Sequence, residues 1–315
     1  MNKEIYDVII IGAGPAGLSA GIYAGRSCLK TLIIEKAVEG GRVVDTREVV
    51  NYPGVRKTTG KELTDVMVQQ CHDFGVEFIT QTIKNYDLSG EIKTISSRHG
   101  EFKAKTVILA NGTSEIVLGI DGETRLRGNG VSYCATCDAE FYKGKNVVVV
   151  GSGDQGIEEG CYITKFANSV TTIVIHPEGV LDCNKFSAQK AFKNPKMHFV
   201  WNSTLSKIEG ENEVTGVQIM NLITKEKTEF PCDGVFMFVG MTPNTKGLED
   251  KVELDRKKWI VTDDLMHTKV PGVFAAGDVR QKVLRQISTA ISDGAIAATQ
   301  AEKYITSLED KKKGE

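Results

Sequence analysis

The chain has 315 residues, 41% apolar and 25% charged, the balance of a globular protein; this excludes disorder and predicts about two domains. Lys plus Arg (39) nearly cancels Asp plus Glu (41), and the formal net charge of −2 excludes a strongly basic nucleic-acid binder by bulk charge. Glycine is in excess at 32 residues, against only seven prolines, so the excess belongs to tight turns and close backbone approaches.

In chain order, a buried strand from Tyr6 runs into the turn Gly12-Ala-Gly14-Pro15-Ala16-Gly17 and then a helix to about Gly25. A second strand, Lys30 to Ile34, ends at Glu35. Each part has a use in binding a dinucleotide. Gly12 permits the turn, Gly14 lets backbone N–H groups approach a pyrophosphate, and Gly17 lets the helix sit close to the strand. The helix N-terminus attracts phosphate, and Glu35 is placed to accept hydrogen bonds from a ribose. Thr106 to Gly112 reads as another buried strand ending in a small-residue turn.

Ser132-Tyr-Cys134-Ala-Thr-Cys137-Asp138 follows. A CxxC pair opening a helix has a lowered thiol pKa and can cycle between dithiol and disulfide. Asp138 is placed to carry the proton that a thiol leaving group needs. Zinc would need four ligands, and no second CxxC or Cys/His pair accompanies this one. Cys28, Cys71, Cys161, Cys183 and Cys232 stand alone and read as buried, small and apolar. An odd total of seven cysteines points to a reducing cytoplasm rather than a disulfide framework.

The first pattern then recurs, offset by 139 residues from Gly12 to Gly151: strand, Gly151-Ser-Gly153-Asp-Gln-Gly156, helix, and a strand over Val170 to Ile175. Two such units predict two dinucleotide-type domains. A late strand, Val270 to Ala276, ends at Gly277-Asp278. The longest apolar runs, such as Val147 to Val150 and Val235 to Val239, fall far below the ~18 residues of a membrane span. No targeting segment is read at the start.

Together Gly12–Gly17, Gly40-Gly41-Arg42, Asn51-Tyr-Pro-Gly54, Cys134–Asp138, Gly277-Asp278-Val279-Arg280 and Arg285-Gln286 resemble the low-molecular-weight thioredoxin reductases among the flavoprotein disulfide reductases. The resemblance runs from Ile5 to about Ile305. It implies an α/β fold of two Rossmann-like domains, the second inserted into a discontinuous first: an FAD-binding domain over 1–118 and 246–315, and an NAD(P)-binding-like domain over 119–245 that carries the CxxC pair. The two would rotate about their connecting strands. FAD would lie on Gly12, Gly14, Pro15, Ala16, Gly17 and Glu35, with Gly41, Arg42, Asn51, Gly112, Gly277, Asp278, Arg285 and Gln286 around it. Arg42 stands where the family usually has Gln. The resemblance also implies that Cys137 faces the flavin, that Cys134 attacks the disulfide of thioredoxin, that Asp138 is the acid, and that the protein is a homodimer.

The second unit departs from the family where NADPH would be read. Gly156 replaces an Ala. More seriously, the family's His-Arg-Arg and a following Arg, which clamp the 2′-phosphate, are replaced by Ile175-His176-Pro177-Glu178-Gly179-Val180-Leu181-Asp182-Cys183. Pro177 offers no donor, and Glu178 and Asp182 repel a phosphate. NADPH is therefore in doubt, and three readings compete. NADH could replace it, with Glu178 at the ribose, although that acid belongs at the strand end, where His176 sits. NADPH could bind through other residues. Or electrons could come from a protein, as in the ferredoxin-dependent flavin thioredoxin reductases, which lack the NADPH motifs. The last is the expectation: ferredoxin to FAD, to Cys134–Cys137, to thioredoxin. An acidic ferredoxin would dock on a basic patch, with Lys190, Lys193 and Lys196, or Arg125 and Arg127, as candidates. A non-turnover redox sensor is the alternative of another class, and the intact Cys-Ala-Thr-Cys-Asp argues against it.

Overall fold

A computed structural model describes residues 4–46, 49 and 51–314, without the side chains of 136, 137 and 312–314. The chain separates into two compact units, Met1–Ser114 with Thr242–Glu315, and Glu115–Met241. The second is thus inserted into the first.

The first unit opens with β1 (Ile5–Ile11), α1 (Pro15–Arg26) and β2 (Thr31–Glu35). Then come α2 (Gly60–Asp73), β3 (Glu77–Thr80), β4 (Ile83–Asp87), β5 (Lys93–Ser97), β6 (Glu101–Leu109) and β7 (Thr113–Glu115). Strands β1, β2, β3 and β6 run parallel, with β1 central between β2 and β6. Alternate β1 residues enter different cores: Val8 and Ile10 on one face of the sheet, Ile9 and Ile11 on the other. Both faces are covered, which is why the strand reads as an unbroken apolar run rather than an alternating one. α1 starts with Gly14 as its N-cap and Pro15 inside the first turn, where the ring's fixed φ costs nothing and its missing N–H was unsatisfied anyway.

The inserted unit contains β8 (Val131–Ser132), α3 (Ala135–Asp138), β9 (Asn146–Val150), α4 (Asp154–Ile163), β10 (Ser169–Ile173), α5 (Lys185–Phe192) and β11 (Met197–Val200). The antiparallel trio β12 (Ser203–Glu209), β13 (Gly216–Asn221) and β14 (Lys227–Pro231) follows, then β15 (Gly234–Met237) and β16 (Met241–Pro243). Its parallel sheet runs β11-β10-β9-β15-β8. Val148 and Val150 of β9 enter one core, Val147 and Val149 the other. Both units are therefore built on doubly covered sheets of the Rossmann type, parallel in the inserted unit and extended in the first by the antiparallel β5 and β4. The chain passes between the units on β7 and β16, which pair with each other.

The closing segment adds β17 (Val273–Ala275) beside β6, then α6 (Ile287–Gly314). Gly294 of α6 lies so close to α1 that a Cβ there would collide with the carbonyl of Ala16. Among the described residues, no helix is long and apolar enough to cross a membrane.

Three local expectations need correction. The late strand begins at Val273, because Val270 to Gly272 form a turn closed by Val273 N–H to Val270 O at 3.0 Å. The cysteine pair opens only the four-residue α3, followed by a 3-10 turn over Ala139–Tyr142, so no long helix dipole acts on the thiols. Cys28 is exposed rather than buried: it sits just beyond α1 with φ 57, where the chain turns out toward β2.

Candidate functional site

The first glycine turn is built by backbone packing. Gly12 has φ +107, and a Cβ there would run into the carbonyl of Ala110 at the end of β6. A Cβ on Gly17 would strike the carbonyl of Gly12, so α1 rests directly on the turn. Gly14 faces Gly41 backbone to backbone; a Cβ on Gly41 would come within 2.9 Å of Gly14 Cα. Gly40 N–H donates to Ala13 O at 2.8 Å and holds that second loop in place. Glu35 ends β2. Its Oε2 accepts from the N–H of Ala13 at 2.8 Å, and its Oε1 accepts from Lys36 and Ala37 N–H.

Residues from the chain's two ends meet around this turn. Gly277 packs against Ala16, the Cβ position of one 2.7 Å from that of the other. Asp278 is largely buried, and its Oδ1 has no hydrogen-bond partner among the described residues. Burial raises its pKa, while Lys282, Arg285 and Arg42 oppose the rise. Arg42 also reaches Thr113 Oγ1 at 3.4 Å. The Arg285 guanidinium stacks 3.6 Å from the Trp259 ring centroid and donates to the carbonyls of Asp278, Lys282 and Arg280. Asn51 Nδ2 donates to Gln286 Oε1 at 3.2 Å. Gly112 lies at the mouth of β7, its carbonyl accepting from Asn244 N–H at 3.0 Å. An unpartnered buried carboxylate oxygen surrounded by cations, beside a turn that only glycine backbone can line, fits the hydroxyls and phosphates of a dinucleotide. Sequence reading missed Trp259, Lys282 and Asp293. Asp293 binds Arg280, Lys282 and the N–H of Gly277 through one oxygen at 2.8–3.0 Å. No short motif marks these residues, because they meet only in the folded chain.

The cysteine pair lies in the inserted unit. Cys134 is disulfide-bonded and half-buried, while the side chain of Cys137 lies outside the described residues. The turn is anchored on its N-terminal side by Tyr133, whose hydroxyl donates to Glu123 Oε1 at 2.6 Å. Glu123 is fully buried and also accepts from the N–H groups of Leu118, Gly119 and Ile120, which is how a charged group survives there. On the other side Tyr142 packs on the backbone of Gly234 and its pKa is pushed up to about 12, by burial first and then by the charge of Asp138. Between these anchors Phe141 is 69% exposed, unusual for a large aromatic ring and unmarked in the sequence.

The second glycine turn repeats the first. Gly151 has φ +119, and a Cβ there would strike Phe238 O; one on Gly156 would strike Gly151 O. Glycine at 156 therefore suits this spacing of α4 and β9. Beyond β10, Asp182 Oδ2 accepts from Ser152 Oγ at 3.0 Å and pairs with His176 Nε2 at 2.7 Å. Of the basic residues considered for ferredoxin docking, three are committed internally. Lys196 Nζ donates to Thr164 O and Ala167 O, and Arg125 donates to Gly210 O and Glu211 O. The Arg127 guanidinium lies 4.6 Å from the Tyr133 ring centroid. Among the described residues no cluster of His, Cys, Asp and Glu could hold a metal.

The family model for pyridine nucleotide-disulphide oxidoreductases matches residues 6–294. A thioredoxin reductase of Peptoclostridium acidaminophilum is 47% identical over 96% of this chain and 98% of its own length. The solved thioredoxin reductase of Lactococcus lactis is 40% identical with a TM-score of 0.87, covering 96% of this chain and 99% of that one. A solved ferredoxin-flavin thioredoxin reductase of Clostridium acetobutylicum is only 28% identical, with a TM-score of 0.54 over 97% of this chain and 99% of its own. The expected membership of the ferredoxin-dependent branch thus draws no support from the comparisons. With matches over nearly its whole length, the chain belongs to the pyridine nucleotide-disulphide oxidoreductase family and, within it, to the thioredoxin reductases.

Proposed function

We propose that this protein reduces the disulfide of a thioredoxin through the Cys134–Cys137 pair, drawing electrons through FAD from a pyridine nucleotide. The observation that carries the reading is the disulfide-bonded Cys134 in a Cys-Ala-Thr-Cys-Asp turn, in a chain whose relatives are thioredoxin reductases. Bound FAD supplies two-electron reduction of that disulfide. Gly12, Gly14, Pro15, Ala16 and Gly17 would hold its pyrophosphate, Glu35 its adenosine ribose, and Gly41, Arg42, Gly112, Gly277 and Asp278 its phosphate and ribityl regions. Asn51, Arg285 and Gln286, joined to one another or to Asp278 by hydrogen bonds, would complete the site.

In the dithiol state, the Cys134 thiolate attacks one sulfur of the thioredoxin disulfide. An S–S bond forms between the proteins and the thioredoxin disulfide breaks, its leaving thiolate taking a proton from Asp138. The Cys137 thiol then passes its proton to the Asp138 carboxylate and attacks Cys134 as the thiolate; the Cys134–Cys137 disulfide re-forms, and the second thioredoxin sulfur leaves and takes that proton, so thioredoxin is released as a dithiol. Exposure of Phe141 beside the pair supports a protein substrate rather than a small one.

A second reading keeps a protein electron donor, a ferredoxin, and one observation favours it: the loop after β10 carries Pro177, Glu178 and Asp182 and no arginine. The test is anaerobic mixing of the oxidised holoprotein with NADH, NADPH or reduced ferredoxin, followed by addition of thioredoxin and thiol titration. The main reading requires flavin bleaching and thioredoxin thiols with a nucleotide. Bleaching by ferredoxin alone establishes the second.

A further inference from the structure

The two glycine turns meet their acids at the same residue, though the acids come from different places in the chain. In the first turn, Glu35 at the end of β2 accepts from Ala13, the residue between the first two glycines, at 2.8 Å. In the second turn the corresponding residue is Ser152, and here its side-chain hydroxyl, rather than its backbone N–H, donates to a carboxylate, that of Asp182, at 3.0 Å. Asp182 also forms a parallel bridge with Gly153. The strand end itself carries no acid: β10 stops at Ile173, and His176 stands near where an acid is expected. The chain instead loops through Pro177 to Leu181 and brings Asp182 back to the turn.

That return is fixed by hydrogen bonds. Asn184 donates its backbone N–H and its Nδ2 to Asp154 Oδ1, at 2.7 and 2.8 Å, on the first turn of α4. Ser187 Oγ donates to Glu158 Oε1 at 2.8 Å, and Asn184 Oδ1 caps α5 by accepting from Ser187 N–H at 3.0 Å. His176 and Ser152 both bind Oδ2 of Asp182. Among the described residues no hydrogen bond engages its other oxygen, Oδ1, which is open to a hydroxyl. Above the turn, a Cβ on Gly153 would meet nothing within 4 Å, so a pyrophosphate has room to approach the N-terminus of α4.

We infer that Asp182 sets the nucleotide specificity of the second turn: it accepts the adenosine ribose hydroxyls of NADH and excludes the 2′-phosphate of NADPH. The inference rests on the pyridine-nucleotide reading proposed above and names its substrate. Residues 174–184 supply no lysine or arginine to a 2′-phosphate, and Asp182 and Glu178 oppose one by like charge. Asp182 takes the place that Glu178 held in the sequence reading, because it is Asp182 that the loop returns to the glycines.

The test compares NADH with NADPH in anaerobic reduction of the holoenzyme flavin, with calorimetric binding of NAD⁺ and NADP⁺ alongside. The wild type is expected to favour NADH by roughly 10–100-fold in kcat/KM, the value of one charge-assisted hydrogen bond lost and one repulsion gained. Asp182→Asn, nearly identical in shape, is expected to raise the KM for NADH about tenfold with kcat little changed, and to bind NADP⁺ no more weakly than before. A wild type that prefers NADPH, or an Asp182→Asn variant that weakens both nucleotides equally, overturns the inference while leaving the donor class intact. If neither nucleotide bleaches the flavin and reduced ferredoxin does, the donor reading falls and the inference with it. The wild-type preference decides the matter even if the variant folds poorly.

Discussion

Asn51 and Gln286 are 235 residues apart in sequence, yet the side-chain amide of Asn51 donates to that of Gln286 at 3.2 Å. One belongs to the loop before α2 and the other to the turn that opens α6, where its carbonyl accepts from Ala290 N–H. The bond ties together two loops of the proposed flavin site. Gln286→Ala is expected to weaken FAD retention roughly 3- to 10-fold, the worth of one hydrogen bond, with the fold intact. Dialysis of the variant followed by flavin fluorescence of the released cofactor measures it. Unchanged retention would remove this pair from the site.

The two cysteines have unequal roles in the proposed cycle, and single variants separate them. Cys137→Ser should trap a covalent complex between Cys134 and thioredoxin, because the resolving thiol is gone. Cys134→Ser should form no complex and should keep a flavin–thiolate charge-transfer band from Cys137. Non-reducing electrophoresis and the visible spectrum read both. A trapped complex with Cys134→Ser instead would reverse the assignment.

Phe141 is exposed between two well-anchored tyrosines, so its removal leaves the turn supported. Exposed aromatic rings in such a setting act as binding anchors. Phe141→Ala is expected to raise the KM for thioredoxin at least about tenfold while reduction of a small aromatic disulfide and thermal stability stay near wild type. An equal loss with both disulfides would place Phe141 in the chemistry rather than in docking.

Glu159 on α4 has its pKa raised to about 7, by burial first and then by the neighbouring Glu158. Its native-state pKa thus lies above the unfolded value of 4.5. Between these values the native state holds the proton and the unfolded state does not. Stability therefore falls as pH rises from about 4.5 to about 7, by up to roughly 1–3 kcal/mol. Glu159→Gln, neutral throughout, should flatten that part of the stability profile and melt higher than wild type at pH 8. Chemical denaturation across this range tests the sign.

Much of the fold follows from local pattern. Unbroken apolar strands such as β1 and β9 announce parallel sheets covered on both faces, and the glycine triplets mark the strand-to-helix turns. Those turns were legible because backbone contacts within a few residues, as between Gly12 and Gly17, leave no alternative side chain. The CxxC pair was legible for the same reason, its chemistry being local to five residues. The length of the helix it opens was not, since α3 ends after one turn where Tyr142 is drawn onto Gly234, nearly a hundred residues away in the chain.

Local pattern in the amino-acid chain sufficed for the two glycine turns, the redox pair and the loop after β10 that lacks arginine. Which residues complete each site follows only from the folded arrangement. It gathers Arg42, Lys282 and Arg285 around Asp278, commits Lys196, Arg125 and Arg127 to internal contacts, and returns Asp182 to the second turn. A side chain's charge can be read from its letter. Its partner is set by chain closure over tens or hundreds of residues, and that depends on the packing of whole elements rather than on any local pattern.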